Sequence, residues 1–209
     1  MLSFGNKELD EFICCDKPEI ISIYGPASAG KTTLCLMVTS ALANKGKKVV
    51  FIDTEGGFNV ERLNQIAGWN YLNILDKILL LKVKSFEEQC EKIEQLKNLV
   101  NIDLVIIDTL SFFYRKALKS DPIRINQEMD KQLKNLSNLT RRGVQVIMSH
   151  QVYTDINKGS ITLVGGEMVK NWSKRLLRLV KEPNRKLILE KPKEQELNVT
   201  IVNEGFVKT

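Results

Sequence analysis

The sequence has 209 residues, of which 43% are hydrophobic and 27% charged, with a formal net charge of +6. That length suits one domain over residues 1–209 with a sizeable core, and with neither Pro nor Gly enriched, the balance excludes disordered and fibrous classes. No run of about 18 apolar residues occurs, and MLSFGNKELDEF carries charges where a signal peptide needs an apolar stretch, so the expected setting is the cytoplasm with no membrane partner.

Short β-branched runs alternate with amphipathic stretches along the chain. EIISIYG reads as a strand, KTTLCLMVTSALANKG as a helix, KVVFIDTE as a strand and VERLNQIA as a helix. KILLLKV, SFEEQCEKIEQLKNLV, IDLVIIDT, INQEMDKQLKNLSNLTRRG and VQVIMSH continue the alternation. Parallel strands need such crossovers, and near-continuous apolar strands imply burial on both faces, so an α/β fold with a mostly parallel sheet flanked by helices is expected. Beyond residue 172, RLLRLVKE, RKLILEKP and ELNVTIVNEGFV read as antiparallel strands that extend the sheet. The stretches from Ser111 to Arg124 and from Tyr153 to Val164 read as long loops leaving the carboxyl edge, where open α/β sheets bind ligands. Cys14, Cys15, Cys35 and Cys90 lack the C-x-x-C spacing of a zinc site and read as reduced thiols.

GPASAGKTT, residues 25–33, has the form G-x-x-x-x-G-K-T between an expected strand and an expected helix. Gly25 and Gly30 let the backbone curl around a phosphate chain, with Pro26, Ala27, Ser28 and Ala29 between them, and the helix N-terminus adds a favourable dipole. Lys31 would reach the β- and γ-phosphates, Thr32 would ligate Mg²⁺, and Thr33 closes the loop. LVIIDT then supplies Asp108 at the end of a buried strand, the place for a second Mg²⁺-side group, so ATP and Mg²⁺ are the expected cofactors. Hydrolysis needs a group to orient or deprotonate water. Thr109 follows Asp108, so that role falls to Glu55, at the end of a strand expected beside the phosphate-loop strand, with Asp53 shaping its turn. The guanine-reading N-K-x-D is absent, which disfavours a GTPase.

Taken together, GPASAGKTT, FIDTEGGFNVERL, LVIIDTLSFFYRK, VIMSHQV and LVGGEM fall in the order and spacing of the RecA/RadA recombinase ATPase core, which the chain resembles over nearly its whole length. The resemblance implies a RecA-like phosphate-loop ATPase and is closest to an archaeal paralogue without the N-terminal DNA-binding domain. It makes Lys31 and Thr32 the nucleotide loop, Glu55 the catalytic glutamate, Asp108 the Mg²⁺-side aspartate and Gln151 the glutamine that senses the γ-phosphate. His150 stands where related sequences usually carry Asn and receives no chemistry.

The same resemblance implies DNA repair and recombination with DNA, single-stranded or branched, as partner, and RadA recombinase, a Holliday-junction resolvase and a DNA polymerase as protein partners. Arg115 and Lys119, beside Phe112, Phe113 and Tyr114, are the preferred DNA contacts, joined by Lys158 in the second loop. Between Lys170 and Lys193, Lys and Arg outnumber Glu and form a candidate basic face. Weak ATPase activity without independent strand exchange is expected. None of the eight phenylalanines has Ala three residues later, as the family's protomer-joining F-x-x-A requires. LVGG, residues 163–166, also replaces the Lys-Pro that usually precedes the paired glycines. A homodimer through another surface stays open. The alternative is a RecA-fold regulatory ATPase or protein-interaction mediator that does not act on DNA.

Overall fold

The computed structural model describes residues 2–155 and 160–209 of the chain. Lys158 therefore lies outside the described residues. After a short helix α1 (Lys7–Ile13) come β1 (Ile20–Tyr24), α2 (Lys31–Asn44), β2 (Val49–Asp53), α3 (Val60–Ala67) and α4 (Tyr71–Leu75). The chain continues through β3 (Ile78–Lys82), α5 (Phe86–Gln95), β4 (Leu104–Asp108), α6 (Ser111–Ala117), α7 (Pro122–Arg141) and β5 (Gln145–His150). A small hairpin, β6 (Val152–Asp155) and β7 (Ser160–Leu163), precedes α8 (Gly166–Trp172), and β8 (Arg175–Val180), β9 (Lys186–Lys191), β10 (Gln195–Val202) and β11 (Gly205–Lys208) finish the fold.

Nine of these strands form one sheet in the order β11-β10-β9-β8-β1-β5-β4-β2-β3. From β8 to β3 every pairing is parallel, and from β8 to β11 every pairing is antiparallel. This is the expected α/β class, with a mostly parallel sheet and antiparallel strands after residue 180. Alternation within each strand builds the two faces: Val49 and Phe51 join one core with Leu9, Leu36 and Leu63, whereas Val50 and Ile52 join the other with Phe86, Met129 and Leu133. Helix α2 is buried nearly all round because the sheet, α3, α4 and β11 surround it, which explains its lack of a polar face.

Four expectations need correction. Strand β2 does not lie beside β1; β5 and β4 stand between them. The stretch from Ser111 to Arg124 is not a loop but α6, a turn and the start of α7. Ser111 and Tyr114, three residues apart, bury one face of α6, and Asp121 caps α7 by accepting the Arg124 N–H at 3.1 Å, with Pro122 at its first position. The stretch from Tyr153 to Val164 holds the β6–β7 hairpin, in which Val152 pairs with Leu163. Finally, β8 is antiparallel only to β9; toward β1 it runs parallel, so RLLRLV belongs to the parallel sheet.

Candidate nucleotide site

Register places the ends of the central strands level. Tyr24 pairs with His150 and Asp53 pairs with Asp108, so the segments after β1, β2, β4 and β5 leave the sheet at one edge. A cavity of about 590 Å³ opens there, lined by the loop residues Gly25, Ala27, Ser28, Gly30, Lys31, Thr32 and Thr33 together with Glu55, Asp108 and Gln151. Four segments far apart in sequence thus meet at one place.

The loop after β1 keeps its shape through two glycines. Gly30 has φ +108°, and a Cβ there would stand 2.5 Å from the Phe206 ring; a Cβ on Gly25 would stand 2.6 Å from the Leu179 carbonyl oxygen. The C-terminal hairpin therefore packs directly against the phosphate loop. Arg185 reinforces this by donating to the Ala29 carbonyl.

Lys31 Nζ donates to the Gly25 and Pro26 carbonyls at 3.0 and 2.9 Å, and burial lowers its pKa. Both bonds are to the loop's own backbone, so the ammonium is held at the concave side of the loop. Thr32 donates to Asp108 Oδ2 at 2.6 Å, and Ser149 donates to the other carboxylate oxygen. Burial pushes the Asp108 pKa up, against the hydroxyl bonds that pull it down. A divalent cation at that point would favour the ionised carboxylate. This paired hydroxyl and buried carboxylate fit Mg²⁺, which prefers oxygen ligands and completes its shell with phosphates and water.

Asp53 shapes the next turn as expected, accepting the backbone N–H groups of Gly56 at 2.8 Å, Gly57 at 3.0 Å and Phe58 at 3.1 Å. That turn carries Glu55 toward Asp108 although β2 and β1 are not neighbours. Glu55 Oε1 accepts from Thr109 Oγ1 at 2.6 Å and from Gln151 Nε2 at 3.1 Å. Gln151 is held in turn by its backbone N–H, which donates to Ser111 Oγ at 2.8 Å. Thr109, Ser111 and Ser149 were not singled out from sequence. Their positions beside Asp108 and His150 at strand ends are the signal that could have found them.

His150 is fully buried, its Nε2 3.1 Å from Ser22 Oγ, and burial lowers its pKa to about 3. It is a neutral core residue. Of the expected DNA contacts, Arg115 is exposed and lines this cavity, while Lys119 is exposed in the turn between α6 and α7. Part of the candidate basic face is taken up by internal pairs. Arg175 bonds Glu19, Arg178 bonds Glu190, Lys186 bonds Glu196 and Lys191 donates to the Lys170 carbonyl.

A family model described as Rad51 matches residues 1–206. The chain belongs to the Rad51 family. Within this Rad51-family fold, the RecA-like architecture agrees with a crystal structure described as the RadB recombinase, with a TM-score of 0.82 and 31% identity over 100% of both chains. The chain is also similar to the DNA repair and recombination protein RadB of Methanococcus maripaludis strain C7, 36% identical over 84% of this chain and 83% of that one. RadB of Methanocaldococcus jannaschii is 34% identical over 91% of this chain and 93% of its own length. The archaeal paralogue to which the sequence motifs point is thus among the relatives to which this chain is similar.

Proposed function

We propose that this Rad51-family protein acts in DNA repair and recombination as an accessory ATPase that binds ATP and DNA, turns ATP over slowly and drives no strand exchange alone. The observation that carries the nucleotide reading is the meeting of Lys31, the Thr32–Asp108 pair and the Thr109–Glu55–Gln151 chain at one cavity. Lys31 would exchange its two backbone acceptors for phosphate oxygens. Thr32 and Asp108 would hold Mg²⁺, which when bound supplies positive charge to the phosphate oxygens. Among the described residues, Glu55 is the one carboxylate besides Asp108 that lines the cavity, and it orients or deprotonates water. Gln151 links Glu55 to the β6–β7 hairpin, so nucleotide state can reach the surface assigned to DNA.

Slow turnover is supported by the sequence at residues 163–166, where Leu163 and Val164 replace the cation that would reach a neighbouring protomer's nucleotide. Loss of an arginine-finger-like charge costs about 10³ to 10⁵ in rate. RadA recombinase, a Holliday-junction resolvase and a DNA polymerase remain the proposed protein partners. Calorimetry with ATP tests the site: wild type should bind, and Lys31→Ala should lose most of that affinity; equal binding by both rejects the assignment. Electron microscopy with ATP and single-stranded DNA, paired with a strand-exchange assay, tests the accessory role, and regular filaments with efficient exchange would overturn it.

A further inference from the structure

We infer that Arg115, beside Lys31 and Gln151, also meets the γ-phosphate of the bound nucleotide, from within the same chain, and so makes this site prefer a triphosphate to a diphosphate. The inference rests on the nucleotide reading above. Three observations carry it. First, Arg115 lines the cavity that Lys31, Thr32, Glu55 and Gln151 line. Second, its direction follows from helical periodicity: Ser111 and Arg115 are four residues apart in α6 and share a face, and Ser111 already faces Gln151 through the 2.8 Å bond to its N–H. Arg115 is therefore on the side of α6 turned to the Asp108–Gln151 end of the cavity. Ile201 abuts Gly30 at the phosphate loop and gives the cavity an apolar wall there.

Third, the neighbouring cation is already engaged elsewhere. Lys116 sits 3.8 Å from the centre of the Phe112 ring, four residues back on a different face, whereas Arg115 makes no hydrogen bond or ion pair among the described residues. Helix α6 is also fixed rather than adrift, because buried Tyr114 donates to Asn126 Oδ1 at 2.6 Å and ties it to α7. A planar guanidinium on a fixed helix, facing a site built for phosphate, matches the fork geometry that phosphate oxygens accept. Binding the γ-phosphate in the ground state discriminates ATP from ADP without accelerating hydrolysis, since uniform binding leaves the barrier unchanged.

The test is calorimetry with a non-hydrolysable ATP analogue and with ADP, each with Mg²⁺, on wild type, Arg115→Gln, Arg115→Lys and Lys116→Gln. Arg115→Gln should weaken the analogue roughly 10- to 100-fold, as loss of a charge-assisted hydrogen bond does, and leave ADP unchanged, which also shows that the variant is folded. Arg115→Lys should recover part of the loss, and Lys116→Gln should match wild type. Equal weakening of both nucleotides, or of neither, overturns the inference while leaving the site intact. If Arg115→Gln instead weakens single-stranded DNA alone, Arg115 is a DNA contact. If wild type binds neither nucleotide, both this inference and the nucleotide reading fall.

Discussion

Glu55 is held at one carboxylate oxygen by hydrogen bonds from Thr109 and from Gln151, so its carboxylate is aimed before any water arrives. Thr109→Val keeps the shape and removes one of those bonds. It should lower the ATPase rate roughly tenfold with ATP affinity retained, while Glu55→Gln, which cannot accept a proton, should reduce turnover further, by about 10² or more. Single-turnover measurements read both; unchanged turnover in both variants would remove Glu55 from the mechanism. His150 makes a separate prediction about pH. Its folded pKa, about 3, lies below the unfolded value near 6.5, so between those values the unfolded chain holds the extra proton. Stability is therefore complete above about pH 6.5 and falls with decreasing pH by about 1.4 kcal/mol per unit from this group. His150→Asn should flatten that slope between pH 6.5 and 4, whatever its effect at neutral pH, and denaturant melts across that range would show it.

At the scale of elements, the C-terminal hairpin is the wall of the phosphate loop. Phe206 is fully buried against Gly30, and its backbone N–H faces Met37 Sδ at 3.1 Å. Phe206→Ala should cost about 3–5 kcal/mol of stability by opening a cavity, and should also weaken ATP by loosening the loop, as urea melts and calorimetry on the same sample would report. Stability lost with nucleotide affinity intact would mean that the loop holds its shape unaided. Sequence showed the loop and not the wall, because G-x-x-x-x-G-K-T is a local pattern and the contact with Phe206 joins opposite ends of the chain. The same distinction explains α6. FFYRK reads as a loop because three consecutive aromatics after a strand carry no helical period of their own; the buried pair Ser111 and Tyr114 needs α7 and the Gln151 backbone to define its face. Glu55 was found from its strand end even though β2 lies two strands further from β1 than expected, since the carboxyl edge is shared by all parallel strands.

For the whole molecule, the net charge of +6, which already counts every acidic residue against a basic one, gives a polyanion only a modest overall attraction. Arg175 is taken up by buried Glu19, Arg178 lies against Glu190, and Arg115 faces the cavity. DNA binding should then be modest and insensitive to sequence, with a shallow salt dependence equivalent to about three phosphate contacts or fewer. Lys119→Ala should flatten it further. A slope several times steeper would show that a broad basic surface exists after all.

The abutment of Phe206 on Gly30 has a consequence for how the protein is made. The phosphate loop is translated early, but its packing partner emerges only after nearly all of the sheet has been synthesised. A nascent chain arrested before Gly205 would carry every residue of the nucleotide motif and still lack the Phe206 ring that abuts Gly30. Competence to take nucleotide should therefore rise only once β10 and β11 have emerged and folded back on the loop, and not as soon as the motif itself is made.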